Sequence, residues 1–318
     1  MGKEGLTLAA IAALAMAAVA FFVAPEVPSH TDSGICFPSP DLWIASPMTG
    51  RIVNILLLGG VCLLLFAVNK DRTFIKGSDT VQLGMFLIMA ASNVWVTESL
   101  NSGLLTALIN LICLWIIFGC YDMRNSTREM FVTGTVLGIG SMFEYSVVFM
   151  TPVYIVGIAV LKSFSFRVLI AYLMGLLAPF WIVIGLGIVS PEAFAFPILQ
   201  PFNDMAMTRS ELLVGLLNVA FTVILGLSFA LANSVRLYAG TSKRRLYNLV
   251  INILGVVALI CIVFDFDNIT AYLPTLYMVA AVQTGNFFEL SNVYRGNVWV
   301  LALAALYVGA FVLMIVTG

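Results

Sequence analysis

The stretch Gly134-Thr-Val-Leu-Gly-Ile-Gly-Ser-Met-Phe-Glu-Tyr-Ser-Val-Val-Phe-Met-Thr-Pro-Val-Tyr-Ile-Val-Gly157 carries one charged side chain, Glu144, in the middle of an apolar run that extends over residues 130–161. A carboxylate at the centre of a bilayer costs on the order of 2.5–3.5 kcal/mol by insertion scales. Either Glu144 lies away from the bilayer centre, or it is placed there to work. As one helix, the run would reach about 48 Å at 1.5 Å per residue, too long for a hydrocarbon core of about 30 Å. As two arms meeting near Glu144, each would be about 22 Å long.

The rest of the chain decides between these readings. Of its 318 residues, 61% are hydrophobic and 10% charged, with a mean hydropathy of +1.06. Such a chain has too few charges to clothe a soluble domain. Runs near 6–24, 52–69, 80–97, 102–121, 167–189, 212–235, 246–264, 270–287 and 297–317 are each long enough to cross a membrane as a helix. They lack the alternation of a transmembrane barrel. The chain therefore reads as an all-α, polytopic transmembrane bundle, a single transmembrane domain over 1–318 with no soluble domain. The first run follows Lys3 and Glu4 and is long for a signal peptide, with Pro25 where cleavage would fall, so it reads as an uncleaved first span.

With a hairpin at 130–161 and the N-terminus inside, Lys3, Lys70, Arg72, Lys76, Arg124, Arg128, Lys162, Arg167, Arg236, Lys243, Arg244, Arg245 and Arg295 fall on the cytoplasmic side. Of the 15 basic residues, only Arg51 and Arg209 are left outside. A single span would send every basic residue from Lys162 onward to the outer side and erase the bias. The positive-inside rule thus favours about eleven membrane segments, N-terminus in and C-terminus out, with a short hairpin at 130–161. Glu144 then belongs to an outer turn. Glu26, Asp32, Asp41, Glu98, Glu192, Asp204, Glu211, Asp265 and Asp267 fall on the same side, which makes the outer face the place to look for chemistry.

A net charge of −1 and the absence of a basic domain argue against nucleic acid as a partner. Five cysteines, four of them in or beside apolar runs, give no disulfide framework or metal quartet, and the single His30 gives no histidine-rich site. The outer loop at 25–51 has five prolines, and its Asp32 and Asp41 suit a divalent cation or a base, with His30 assisting. The alternative is an ordinary loop whose Asp and Ser residues cap helices. Glu98 lies in the turn Asn93–Gly103, either lining an outer cavity or marking a helix end, with Asn101 or Ser102 as the N-cap of the next span. Glu144 and Tyr145 lie at the hairpin tip among Gly134, Gly138 and Gly140, a spacing that permits close helix approach. They either line a cavity or sit in a loop open to water. Asp265 and Asp267 form a D-x-D pair able to hold a cation against phosphate, but helix capping by Asp267 or Asn268 is the better reading. The segment 190–211 reads as an interfacial loop, and the basic stretch 234–247 as a topology anchor able to meet anionic headgroups.

Residues 80–190 resemble the central membrane region of the GT-C superfamily of integral-membrane glycosyltransferases. The resemblance is carried by Glu98 after the third span, by Gly134, Gly138 and Ser141 leading into the hairpin, by Pro152 in its return arm, and by Lys162, Arg167 and Pro179 beyond it. The whole chain also resembles a family of bacterial inner-membrane proteins of about this length. The resemblance implies action in envelope biogenesis on polyprenyl-linked sugars at the outer face of the bacterial inner membrane. Asp32 or Asp41 would be the base, Glu98 and Glu144 would orient acceptor or cation, and Tyr145, Arg209 and Arg51 would contact substrate. A divalent cation is the cofactor the resemblance allows, and lipid, as polyprenyl phosphate or a lipid-linked sugar, the partner. Two departures stand out: the superfamily's acidic pair in the first outer loop is replaced by isolated Asp32 and Asp41, and a position often held by a basic residue is Glu144. A non-catalytic scaffold of an envelope assembly is one alternative. A lipid or small-molecule carrier without proton coupling is another, since the span centres hold only amides such as Asn93, Asn110 and Asn218.

Overall fold

The computed structural model describes residues 3–23, 34–44, 46–73, 79–97, 100–190, 192, 194, 209–237, 241–290 and 296–317. These residues form helices joined by short turns, with no strand among them. In chain order the helices are α1 (Lys3–Val23), α2 (Pro47–Arg72), α3 (Asp79–Ala91), α4 (Val94–Thr97), α5 (Ser102–Phe118), α6 (Thr127–Phe143), α7 (Ser146–Val160), α8 (Phe166–Gly185), α9 (Arg209–Leu237), α10 (Ser242–Phe264), α11 (Ile269–Leu290) and α12 (Gly296–Thr317). Single 3-10 turns cover Pro40–Leu42 and Phe266–Asn268. Five helices, α2, α8, α9, α10 and α12, are long and apolar enough to cross a membrane by length and composition. The chain is a helical membrane bundle.

The hairpin at 130–161 is present. The backbone of Glu144 is extended (φ −143°, ψ 109°), which ends α6, and α7 restarts at Ser146. The expected span over 80–97 is instead two helices, broken at Ser92 and Asn93. The Ser92 hydroxyl donates back to the Met89 carbonyl, and the Asn93 side chain accepts from the Trp95 amide, so both compete with the helix ladder. Asn93 also donates to the Tyr277 hydroxyl at 2.9 Å. Buried irregular backbone is tolerated at membrane depth where neighbouring helices satisfy it.

α11 is the axis of the bundle. Almost its whole circumference is buried, from Ile269 to Asn286, against α3, α5, α9 and α10. A helix so enclosed needs internal partners for its polar groups. Thr275 accepts from Asn110 at 3.1 Å, Tyr277 donates to Asn218 at 3.1 Å, and Gln283 accepts from Asn233 at 2.8 Å. The amides noted as lone polar groups in the spans thus tie helices together, each such bond contributing roughly 0.6 kcal/mol. The outermost layer on one side is the α6–α8 pair, which crosses closely. A Cβ on Gly134 would lie 2.3 Å from the Tyr172 carbonyl oxygen, and one on Gly175 2.1 Å from that of Phe131. The Gly134/Gly138 spacing therefore serves α8 and not the other hairpin arm.

Contacts at the helix ends sort the turns into two groups. At one end the first loop packs on the hairpin tip, Asn54 near the start of α2 accepts from the Asn101 amide, and Asn268 before α11 reaches Glu144. At the other, the Tyr247 hydroxyl of α10 donates to the Phe118 carbonyl of α5, Asp122 bonds Leu161, and Trp115 donates to Asp71. Lys70, Arg72, Arg124, Arg128, Lys162, Arg167, Arg236 and Lys243 to Arg245 all sit at helix ends of this second group. The charge asymmetry of the sequence and the alternation of turns in the fold agree.

Candidate carboxylate site

The site is assembled at the first end by the loop over residues 34–44. Its Ile35, Cys36 and Phe37 amides donate to the Ser141 and Met142 carbonyls at 3.0–3.3 Å. Those carbonyls end α6 and would otherwise lack partners, so the loop acts as that helix's C-terminal cap. Gly34 allows the contact, because a Cβ there would fall 2.3 Å from the Met142 oxygen. Phe37 stacks on Phe143 at 5.1 Å and Trp43 meets it edge-on at 5.3 Å, which fixes the loop over the hairpin tip.

Two carboxylates meet there. Ser39 donates to Glu144 Oε2 at 3.1 Å, while the Ser146 amide and the Asn268 side chain both donate to Oε1 at 3.3 Å. Glu144 is 5% exposed. Burial pushes its carboxyl above the ordinary range, opposed by hydrogen bonds from Ser146, Asn268, Ser102 and Ser39. Asp41 projects from the 3-10 turn and accepts the Ser102 amide at 2.6 Å, at the N-terminus of the 17-residue α5. There it offsets the helix dipole and satisfies an otherwise orphan donor. Burial still raises Asp41 to about 7, against the Ser102 bond and with the nearby Glu144 charge adding to the rise. The Ser102 hydroxyl is within reach of both carboxyls.

A third acid, Asp265, stands behind them. It is 1% exposed and accepts from the Tyr145 hydroxyl at 3.0 Å and the Tyr272 hydroxyl at 2.7 Å. Tyr145, expected at substrate, is thus turned inward to Asp265. Asn268, expected as a helix cap, gives its amide to Glu144, and the side chain of Asp267 lies outside the described residues. Asn101 does cap α5, accepting from the Gly103 amide at 2.7 Å. Asp41 caps the start of α5, as the plain loop reading expects, and lies close enough to Glu144 to feel its charge. Arg51 is half-buried near the start of α2, at the same end. Arg209 begins α9, and its side chain lies outside the described residues, as do Asp32, His30 and Glu98. The segments 25–33 and 195–208 of the two expected outer loops lie outside them too.

Beside Glu144 an apolar groove of about 210 Å³ runs between the loop and helices α5 and α6, walled by Trp43, Ile109, Val136, Ile139 and Phe143. Trp43 and Ile139 are exposed at its rim. The acid next to this groove was legible in the sequence; Ser39, Ser102 and Asn268 as its partners were not, since they lie far apart along the chain and have no shared motif. Among the described residues no three His, Cys, Asp or Glu side chains converge as a metal site. The Glu144 oxygens accept from the neutral donors Ser39, Ser146 and Asn268. The arrangement sets Asp41, whose carboxyl is raised to about 7, near Glu144, which lines the apolar groove.

No family model and no curated protein matches the sequence. Among solved structures, the chain is similar to the oligosaccharyltransferase of Archaeoglobus fulgidus tethered to an acceptor peptide containing the NVT sequon, with a TM-score of 0.46, 12% identity, and coverage of 100% of this chain and 55% of that one. It is also similar to the oligosaccharyltransferase AglB of the same archaeon in complex with an inhibitory peptide and a dolichol-phosphate, with a TM-score of 0.43, 12% identity, and coverage of 99% and 47%. The chain spans about half the length of each.

Proposed function

We propose that this membrane protein acts on a polyprenyl-linked sugar at its carboxylate end, in envelope biogenesis at a bacterial inner membrane, with the N-terminus inside and the C-terminus outside. The observation that carries the reading is the pairing of Asp41 with Glu144 beside an apolar groove open to the surface. In this reading the polyprenyl chain lies in the groove and brings its phosphate-linked sugar to the bundle end. An acceptor hydroxyl attacks the anomeric carbon, Asp41 takes its proton, and the bond to the phosphate oxygen breaks with its electron pair. Polyprenyl phosphate leaves, carrying the charge. An acid titrating near 7 is matched to that exchange at neutral pH. Glu144 holds Ser39 and Ser102 around Asp41, and Arg51 and Arg209 supply positive charge toward the phosphate. Asp32 is the alternative base that the resemblance implies, and Glu98 orients acceptor or cation.

The test is turnover of a radiolabelled polyprenyl-phosphate sugar by purified protein in lipid vesicles. Wild type releases polyprenyl phosphate, and Asp41→Asn abolishes release with unchanged protein yield. Full activity of Asp41→Asn would overturn the assignment. One observation favours a second reading, a non-catalytic scaffold. Glu144 accepts from Ser39, Ser146 and Asn268, and Asp265 from Tyr145 and Tyr272, all neutral donors, which is the arrangement of a structural clamp. A scaffold predicts no turnover in any variant, and loss of folded protein when Glu144 or Asp265 is altered.

A further inference from the structure

The opposite end of the bundle holds a second groove. α9 and α10 follow each other in the chain yet lean more on α11 than on one another, leaving an apolar channel of about 190 Å³ between them. Gly226 and Gly255 let both helices sit tightly on the floor: a Cβ on Gly255 would lie 2.7 Å from Val279 Cγ1, and one on Gly226 3.3 Å from the Ala280 Cβ. Leu227, Leu231 and Val256 form exposed lips. The groove runs along α9 from Thr222 to Ser234, about 18 Å at 1.5 Å per residue, roughly the depth of one leaflet's hydrocarbon.

Its character changes toward the basic end. Ser234 and Asn252 line it there, and Gln283 donates to Asn252 Oδ1 at 2.6 Å. Arg244 and Arg245 lie three helical turns before Gly255 and Val256, on the same face of α10 as the groove. Arg244 faces Glu289 at 3.6 Å, and its buried Nε and Nη2 have no hydrogen-bond partner. Arg236, near the end of α9, rests on the Phe287 ring at 4.7 Å. Arg236, Arg244 and Arg245 thus lie at the ends of α9 and α10 toward which the apolar channel runs, with Glu289 facing Arg244. A half-buried guanidinium with N–H groups that make no hydrogen bond suits a second anion beside Glu289, and the channel behind it suits a hydrocarbon chain.

We propose that this groove binds one acyl chain of an anionic glycerophospholipid, whose phosphate is held by Arg244 and Arg245 at the start of α10. Each basic residue facing such a headgroup contributes roughly fivefold to binding. Native mass spectrometry of the full chain, released from nanodiscs of equimolar phosphatidylglycerol and phosphatidylcholine, tests it. Wild type retains one phosphatidylglycerol. Arg244→Gln with Arg245→Gln lowers the preference over phosphatidylcholine by about 25-fold. Ala230→Phe, which fills the groove from α9, empties it, and Ala230→Leu does so in part should the larger side chain impair folding. Equal retention of the two lipids by wild type overturns the choice of headgroup. Retention by both Ala230 variants at the wild-type level overturns the groove, and displacement of the lipid by free glycerol phosphate overturns the part assigned to the chain.

Discussion

Replacing Asp41 by Asn should make the protein more stable at pH 8 and leave it unchanged at pH 4. Burial raises the Asp41 carboxyl from an ordinary 3.8 to about 7. The folded chain therefore keeps this proton up to about pH 7, whereas the unfolded chain releases it near pH 4. Between these values the folded state binds more protons, so stability falls as pH rises. The contribution is complete below about pH 4 and lost above about pH 7. The difference corresponds to about 4 kcal/mol at 1.36 kcal/mol per pH interval of one, an upper bound because water reaches this half-buried side chain. The substituted asparagine carries no charge at any pH, and its carbonyl oxygen can still accept the Ser102 amide. At about 2–4 °C per kcal/mol, the variant should melt several degrees above wild type at pH 8. Scanning fluorimetry in detergent on the five native tryptophans reads this directly. Equal destabilisation at both pH values would refute the reasoning, because it would mean that an ionised Asp41 anchors the α5 N-terminus. Together with the turnover assay, a gain in stability with loss of activity marks a site held for function.

Glu144→Ala should cost more than Glu144→Gln, on the order of 1–3 kcal/mol per stranded donor, since Ser39, Ser146 and Asn268 would lose their acceptor; chemical denaturation of the two variants compares them. Gly34→Val should detach the 34–44 loop from the hairpin tip, and faster maleimide labelling of Cys36 would report it. Gly175→Leu should disrupt the α6–α8 crossing and lower the yield of monodisperse protein, while Gly59→Ala, which meets nothing within 4 Å, should be silent. For sidedness, a single cysteine in place of Trp43 should react with an impermeant maleimide from outside, one in place of Met123 only after the membrane is opened, and one in place of the buried Glu144 slowly from either side.

The sequence by itself determined the class of the fold and the alternation of its turns. Few charges and long apolar runs leave a helical bundle in lipid as the solution, and the distribution of Lys and Arg separates one helix from a hairpin at 130–161. It marked Glu144, a lone carboxylate within a long apolar run, and Asp41, one of two aspartates in a proline-rich outer loop. Tertiary structure alone decided what those acids touch. Ser39, Ser102 and Asn268 are unremarkable in sequence, and only the docking of the 34–44 loop on the end of α6 brings them to Glu144. The break at Ser92 and Asn93 was hidden for a similar reason, since Asn93 finds its partner Tyr277 184 residues away. The glycines of α6 announced close packing, but helical periodicity does not say which neighbour is approached, and the choice of α8 was made by the bundle. Periodicity and charge are written along one chain, whereas a site is built where segments distant in sequence exchange hydrogen bonds, and that exchange exists only once the helices are packed.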